Sequence, residues 1–237
     1  MRFVVDDSSL CFTNCHLAAG QTQTAHRNND ANAILESDSL PPEQDADIRT
    51  TLYVGGGDGT QILDHEVSIL NGDLNYRIDA IPRDTVVKII QRNELDKLLE
   101  RDQMVVSRRR HEGFRLGSFA EAPITFPPTY KYDVNSDTYD SSEKKRSPAW
   151  CDRLLFRGQG RIKQIEYRRH EVRNSDHRPV SGVFKIRVKS VTPAQRERAK
   201  EKCLKEFAEV ERRITAQARW VSFPVPSPRF RSPENHS

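Results

Sequence analysis

Apolar residues recur along this chain in short runs separated by turn-forming residues. Residues 10–18 and 67–70 read as strands, because they are short, apolar and followed by a glycine. Alternation along the first run places Phe12, Asn14 and His16 on one face. Residues 154–156 and 162–167 flank a Gly-Gln-Gly turn, which predicts a β-hairpin, and residues 180–188 predict a final strand.

Helical spacing is found in the stretches between these strands. Residues 27–35 predict a helix with an Asn or Asp as its N-cap, and residues 84–90 and 93–99 carry apolar stripes at intervals of three and four. Arg108 to Arg110 read as a solvated or membrane-facing run. After Thr192 and Pro193, apolar residues at a 4-3-4 spacing predict an amphipathic helix.

The mixture of strands and helices predicts an α/β (α+β) class. We expect one domain over residues 1–190, in which the Ser-, Pro- and Gly-rich stretch 37–60 is a flexible insertion without a phosphate-binding role. Residues 191–220 would form the amphipathic helix, which could contact a protein partner, and residues 221–237 would be disordered.

Composition narrows the functional classes only slightly. The net charge of +4 in 237 residues is too mild to argue for nucleic acid. No stretch approaches ~18 apolar residues, so a membrane span is not expected. The start of the chain has no signal-peptide pattern. Four cysteines without CxxC spacing indicate reduced thiols. Together these features predict a cytoplasmic protein.

The stretch from Pro127 to Arg153 gives the strongest indication of which kind of ligand the protein binds. Its hydroxyl, ammonium and guanidinium groups are the groups that bind a multiply phosphorylated ligand. A solvated charged loop is the ordinary interpretation of such a run. Trp150 and Cys151, however, lead directly into an apolar strand, and Asp152 stands at the start of that strand. The loop is therefore expected to be anchored beside a site.

A second candidate lies after residues 67–70. Gly72 permits a tight turn, so that Asp73 and Asn75 can project together from a strand end. An ordinary Asn/Asp turn would produce the same local sequence. Ser175, Asp176 and His177 occupy another turn.

Five motifs occur together in one order: NCHLAAG with RNND, GDLNYRID, PPTYKYD, KRSPAWCDR and SDHRPV. This series resembles the inositol polyphosphate 5-phosphatases of the endonuclease/exonuclease/phosphatase superfamily, from about Leu10 to Val188. The resemblance implies a four-layer α/β/β/α sandwich. Only nine residues precede the first predicted strand, so we expect the N-terminal half of that sandwich to be missing and the activity of this truncated chain to be impaired.

The resemblance also implies roles for individual residues. Asp73 would be the general base, Asn75 would position the phosphoryl group, and His16 and His177 would contact its oxygens. Asp152 would hydrogen-bond the His177 ring. The positions expected to bind the neighbouring 4-phosphate are Tyr130, Lys131, Lys144 and Arg146.

Magnesium is the implied cofactor, with Asp176 as one ligand, although the family's main glutamate ligand has no counterpart here. The expected partners are phosphoinositide lipids or soluble inositol polyphosphates, with peripheral membrane contact and no nucleic acid. Two alternatives remain open. A nuclease of the same superfamily would share GDLN and SDH but has no need of the cationic loop. A scaffold could bind inositides through that loop without catalysis.

Overall fold

The larger of two sheets has four strands in the order β1-β2-β3-β4. The computed structural model of the chain describes residues 1–110 and 112–220. The strands are β1 (Arg2–Val5), β2 (Ser8–His16), β3 (Val67–Asp73) and β4 (Asp152–Arg157), followed by β5 (Ile162–Arg169) and β6 (Val180–Ile186). Strands β2 and β3 are parallel, whereas the β1–β2, β3–β4 and β5–β6 pairs are antiparallel. The last pair forms the second sheet.

Six helices accompany the strands in the described part of the chain. They are α1 (Thr24–Glu36), α2 (Ala46–Leu52), α3 (Arg83–Gln91), α4 (Leu95–Leu99), α5 (Gln103–Arg110) and α6 (Pro193–Trp220). The chain divides into two units after Ser190, and α6 belongs to the second unit. None of these helices is long and apolar enough to cross a bilayer. The tail predicted to be disordered, residues 221–237, lies outside the described residues.

The two faces of the larger sheet are covered differently. Cys11, Cys15 and Leu70 on one face pack in a buried cluster with Leu35 of α1. Residues on the opposite face pack against the second sheet, in a cluster formed by Leu10, Val67, Ile69 and Ile162. Side chains alternate along each strand, so one sheet can serve both interfaces. The predicted α/β class is confirmed.

The predicted hairpin after Asp152 is wrong. Strand β4 pairs with β3 in the larger sheet, and β5 pairs with β6 in the second sheet. The Gly158–Gly160 turn therefore carries the chain from one sheet to the other. The expected N-cap of α1 is also wrong, because the helix begins at Thr24 and Gln23 makes no side-chain cap.

Two polar segments have more structure than their composition indicates. Within the stretch predicted to be a flexible insertion, Asp45 caps α2 by accepting from the N–H groups of Asp47 and Ile48. The Ser9 hydroxyl donates to the Leu52 carbonyl at the end of that helix, at 2.5 Å. Arg108 was expected to be solvated, but it is partly buried and donates to two backbone carbonyls.

Candidate functional site

Strands β2 and β3 approach each other closely at their carboxyl ends. Gly72 has a φ of +136°, and a Cβ at this position would lie 2.0 Å from the Cys15 carbonyl oxygen. Only glycine fits such a contact. The register places His16 opposite Asp73, and their Nε2 and Oδ2 atoms are 3.3 Å apart.

A second carboxylate lies across the β3–β4 pair. Asp152, the first residue of β4, is the register partner of Asp73. Burial raises the pKa of Asp73, and the negative charge of Asp152 adds to this effect, against the opposing influence of His177. Asp152 is therefore close enough to influence the charge of Asp73.

His177 approaches both acids from the turn before β6. Its Nδ1 lies 2.9 Å from Asp152 Oδ2, which also accepts from the Thr129 hydroxyl at 2.6 Å. The Nε2 atom of the same ring is 3.9 Å from Asp73 Oδ2. Burial disfavours the charged ring, but Asp152, Asp73 and Asp176 together raise the pKa of His177. We call His16, Asp73, Asp152 and His177 the acid–histidine cluster.

Asn75 lies at the edge of this cluster with its amide already engaged. Its side chain is buried, its Nδ2 donates to the Leu17 carbonyl at 3.0 Å, and its Oδ1 accepts from Arg77. Its backbone N–H donates to Asp73 Oδ1 at 3.0 Å. Asn75 therefore helps to hold the Asp73 carboxylate in place.

The four residues expected to bind the 4-phosphate line one open cleft. Tyr130, Lys131, Lys144 and Arg146 surround a volume of about 490 Å³ together with Asp140, Ser142 and Glu143. We call this the basic cleft. The Tyr130 ring is centred 4.7 Å from the His177 ring, so the cleft adjoins the acid–histidine cluster.

Internal hydrogen bonds shape the loop that carries the basic cleft. Burial opposes ionisation of Asp140, but hydrogen bonds from Ser142 and from the Arg146 N–H outweigh it and lower the pKa of Asp140. The Arg83 guanidinium donates to the Asp140 carbonyl at 2.8 Å. Lys131 Nζ lies 2.8 Å from Asp176 Oδ2, and this hydrogen bond raises the pKa of Lys131.

The carboxylates provide only part of a divalent-cation site. Among the described residues, no group of three or more His, Cys, Asp or Glu side chains could hold a metal ion. Asp73 and Asp152 offer two adjacent carboxylates, whereas the predicted ligand Asp176 is paired with Lys131. Magnesium requires about six oxygen ligands. The side chains present therefore do not complete the coordination of such an ion.

Two residues that hold predicted site residues in place were not themselves predicted to have a role. Arg77 donates from Nε to the Asn75 carbonyl at 2.9 Å, and its guanidinium carbon lies 4.7 Å from the centre of the Tyr130 ring. Thr129 orients Asp152. Arg77 lies in the GDLNYRID motif and Thr129 in the PPTYKYD motif, so the motifs included both residues but gave neither a role.

Two carboxylates and one histidine at strand ends, a second histidine from the turn before β6 and an adjoining cationic cleft thus form one site in an α/β protein. Residues 1–183 match the Endonuclease/Exonuclease/phosphatase family 2. The chain belongs to this family.

Curated relatives show which members of the family this chain resembles. A probable inositol polyphosphate 5-phosphatase of Schizosaccharomyces pombe is 53% identical over 192 residues, which cover 81% of this chain and 16% of the relative. The type II inositol 1,4,5-trisphosphate 5-phosphatase of Mus musculus is 37% identical over 81% of this chain and 18% of its own length. The predicted resemblance to these phosphatases is confirmed, and the chain spans less than one fifth of both relatives.

A solved structure agrees with the fold. The inositol polyphosphate 5-phosphatase domain of Spsynaptojanin, in complex with inositol (1,4)-bisphosphate and a calcium ion, superposes with a TM-score of 0.62 and 33% identity. The match covers 94% of this chain and 58% of that one. The endonuclease/exonuclease/phosphatase type of fold is therefore confirmed.

Proposed function

We propose that this chain forms part of an inositol polyphosphate 5-phosphatase, which hydrolyses the 5-phosphate of an inositol ring that also bears a 4-phosphate. The observation that carries the proposal is the position of Tyr130, which lines the basic cleft and packs against His177. A ring whose 4-phosphate occupied the cleft would present its neighbouring phosphate to the acid–histidine cluster. The names of the relatives support the 5-position.

Hydrolysis requires a base for the attacking water and donors for the phosphoryl oxygens. The raised pKa of Asp73 makes it a stronger base than an ordinary carboxylate. In the proposed step, water oxygen bonds to phosphorus, its proton passes to Asp73, and the bond from phosphorus to the ring oxygen breaks. The displaced ring oxygen then takes up a proton.

The histidines would bind the developing charge on the phosphoryl group. Asp152 accepts from Nδ1 of His177 and favours the protonated ring, so Nε2 can donate to a phosphoryl oxygen. His16 is more exposed, and its ring would make a second contact with a phosphoryl oxygen. Asn75, which was expected to position the phosphoryl group, would act mainly by fixing Asp73 through its backbone N–H.

Lys131, Lys144 and Arg146 would bind the 4-phosphate. Arginine can hold two phosphate oxygens at once, whereas lysine acts as a point charge. This recognition suits both a lipid headgroup and a soluble inositol polyphosphate, so peripheral membrane contact and a cytoplasmic location stay predictions.

Magnesium is the cofactor we propose, since phosphate and carboxylate oxygens suit a hard cation. Asp73 and Asp152 are the side chains that would approach it, and further ligands must come from substrate, water or other groups. A bound ion would neutralise charge on the phosphoryl oxygens. The use of Asp176 as a ligand would require its separation from Lys131.

Phosphate release tests the proposed reaction. The chain, supplied with magnesium, is expected to release phosphate slowly from phosphatidylinositol 4,5-bisphosphate, because its activity is predicted to be impaired, and not at all from phosphatidylinositol 4-phosphate. Asp73→Asn should abolish the release. Release from both lipids would overturn the assignment to the 5-position. Cleavage of abasic DNA without inositide hydrolysis would instead identify the nuclease alternative.

Binding tests the basic cleft separately. Calorimetry with inositol 1,4,5-trisphosphate should show weaker binding to a Lys144→Ala, Arg146→Ala double variant, by roughly a hundredfold if each charge contributes about 1.4 kcal/mol. The exposed Lys163 of β5 provides a control, because Lys163→Ala removes a charge outside the cleft. Equal affinity of the double variant and the control would contradict the proposed substrate site.

A second candidate is a protein that binds inositides without hydrolysing them. The lack of a three-ligand metal group among the described residues favours it. In that case, inositol 1,4,5-trisphosphate would bind the wild-type chain and Asp73→Asn equally well, and neither would release phosphate.

A further inference from the structure

Helix α6 exposes a stripe of apolar residues. Leu204, Phe207, Val210 and Ile214 expose 62%, 68%, 50% and 60% of their surfaces. Cys203, Phe207, Val210 and Ile214 follow each other at intervals of four, three and four residues, and we call them the α6 seam. Cys203 and Val210, and likewise Phe207 and Ile214, are seven residues apart, and apolar residues at alternating intervals of three and four are the pattern with which two helices pack side by side.

We propose that the α6 seam packs against the same seam of a second copy of this chain, with the two helices antiparallel. In this register Phe207 lies opposite Val210 of the second copy, and Cys203 lies opposite Ile214. Two-fold symmetry repeats each contact. The apolar core then has four layers.

Charges beside the seam select this direction. In the antiparallel pair, Glu206 of each copy lies beside Arg213 of the other, which gives two attractive pairs. In a parallel pair, Glu206 would lie beside Glu211 of the other copy, which gives two repulsive pairs. The sequence of the helix therefore complements itself in one direction only.

Several charges of α6 also pair within the helix, including Glu206, which lies 3.8 Å from Lys202. Lys205 pairs with Glu201 at 2.8 Å, and Arg212 pairs with Glu209 at 3.0 Å. Such pairs three or four residues apart stabilise an isolated helix. The acids Glu206 and Glu211 border the seam and would face the headgroups of an anionic membrane there, although α6 as a whole carries eight Lys and Arg residues and five Glu residues. A second copy, which offers Arg213 to Glu206, fits better.

Sedimentation of the full chain tests whether the copies associate. We expect a reversible dimer whose fraction rises with protein concentration, and we expect Phe207→Glu to remain monomeric. Circular dichroism of both proteins checks that α6 stays helical. A wild-type chain that is monomeric at every concentration would overturn the proposal, whatever the result of the phosphatase assays.

Charge reversal tests the direction of the helices. Glu206→Arg should weaken the antiparallel dimer roughly tenfold, because two attractions between exposed charges become repulsions. The Glu206→Arg, Arg213→Glu double variant should recover the affinity. Glu209→Arg makes the same charge change on the outer face and should have little effect. A stronger dimer with Glu206→Arg would indicate a parallel pair and contradict the proposal.

Disulfide formation gives an independent readout of the register. Two Cys203 residues in the antiparallel pair are offset along the helix by about 16 Å, which is too far for a disulfide bond. Oxidation should therefore leave the wild-type dimer uncrosslinked, whereas Ile214→Cys should yield a covalent dimer with Cys203 of the other copy. Rapid crosslinking of the wild-type chain through Cys203 would exclude the antiparallel register.

Discussion

The acid–histidine cluster and the basic cleft are neighbours but are held in place by different means. His16, Asp73 and Asp152 lie at strand ends, where the register of three paired strands fixes them. Lys144 and Arg146 are exposed on a loop outside the regular strands. Backbone pairing thus positions the groups proposed for chemistry, whereas adjustable side chains are left to recognise phosphates.

This difference has an energetic consequence. A change in the cluster disturbs strand pairing or buried hydrogen bonds, so it should cost free energy of folding. A change in the basic cleft removes a solvated charge, so it should weaken ligand binding and leave the free energy of unfolding unchanged. Variants that separate the cost in stability from the cost in binding test this difference between the cluster and the cleft.

The largest effect is expected at Gly72. Gly72→Ala forces a side chain into the Cys15 carbonyl at 2.0 Å and strains a positive φ, so we expect a loss of about 3 kcal/mol or more of unfolding free energy. Urea denaturation measures it. Gly117→Ala is the matched control, because a Cβ there meets no atom within 4 Å. Equal stability of the two variants would show that the close approach of β2 and β3 is unimportant.

The sequence predicted individual strands and the buried faces of helices, because these depend on the spacing of nearby residues. Strand β3 and the buried stripe of Val86, Leu95 and Leu98 follow from alternation and helical spacing. The partner of β4 did not follow, since the Gly-Gln-Gly turn favoured a hairpin while β4 pairs with β3, far away in sequence. Arg27 was assigned to a helix start, yet it is fully buried, where it supplies hydrogen bonds to the carbonyls of Ala18 and Gly20.

The residues of the candidate site could be predicted from the sequence, but several contacts between them could not. Motifs identified its residues, because each motif is contiguous in sequence. The pairing of Lys131 with Asp176 joins residues 45 positions apart and depends on how two loops meet. No local pattern carries that information. The engagement of the Asn75 amide by Arg77 and Leu17 likewise became visible only in three dimensions.

A smaller loss of stability is expected at Arg77. Arg77→Met leaves two oxygens of the buried Asn75 without their donor and removes the guanidinium from the face of Tyr130. Buried acceptors without partners cost about 1–3 kcal/mol, so urea denaturation should show a loss near 2 kcal/mol. Arg92→Met changes an exposed arginine and serves as the control. Should both variants unfold alike, Arg77 is not a positioning residue.

Asp152→Asn should change a protonation equilibrium more than the fold. Asp152, Asp73 and Asp176 raise the pKa of His177, so removal of one charge should lower that pKa. A raised histidine pKa contributes stability fully below the unfolded pKa of about 6.5, and this contribution is lost as pH rises through the folded pKa. NMR titration of the His177 ring measures both proteins, with Asp84→Asn, an exposed acid, as the control. An unchanged His177 pKa in Asp152→Asn would contradict the assigned coupling.

The smallest effect on stability is expected in the basic cleft. Lys144 is exposed, so Lys144→Ala should leave the unfolding free energy within about 0.5 kcal/mol of the wild type. The same variant should bind inositol 1,4,5-trisphosphate roughly tenfold more weakly, because one charge-assisted contact is lost. Lys163→Ala, a change of the same kind outside the cleft, should alter neither quantity. A Lys144→Ala variant that loses stability but keeps its affinity would reverse the comparison, because the loop would then be held by its cations rather than by the hydrogen bonds of Asp140.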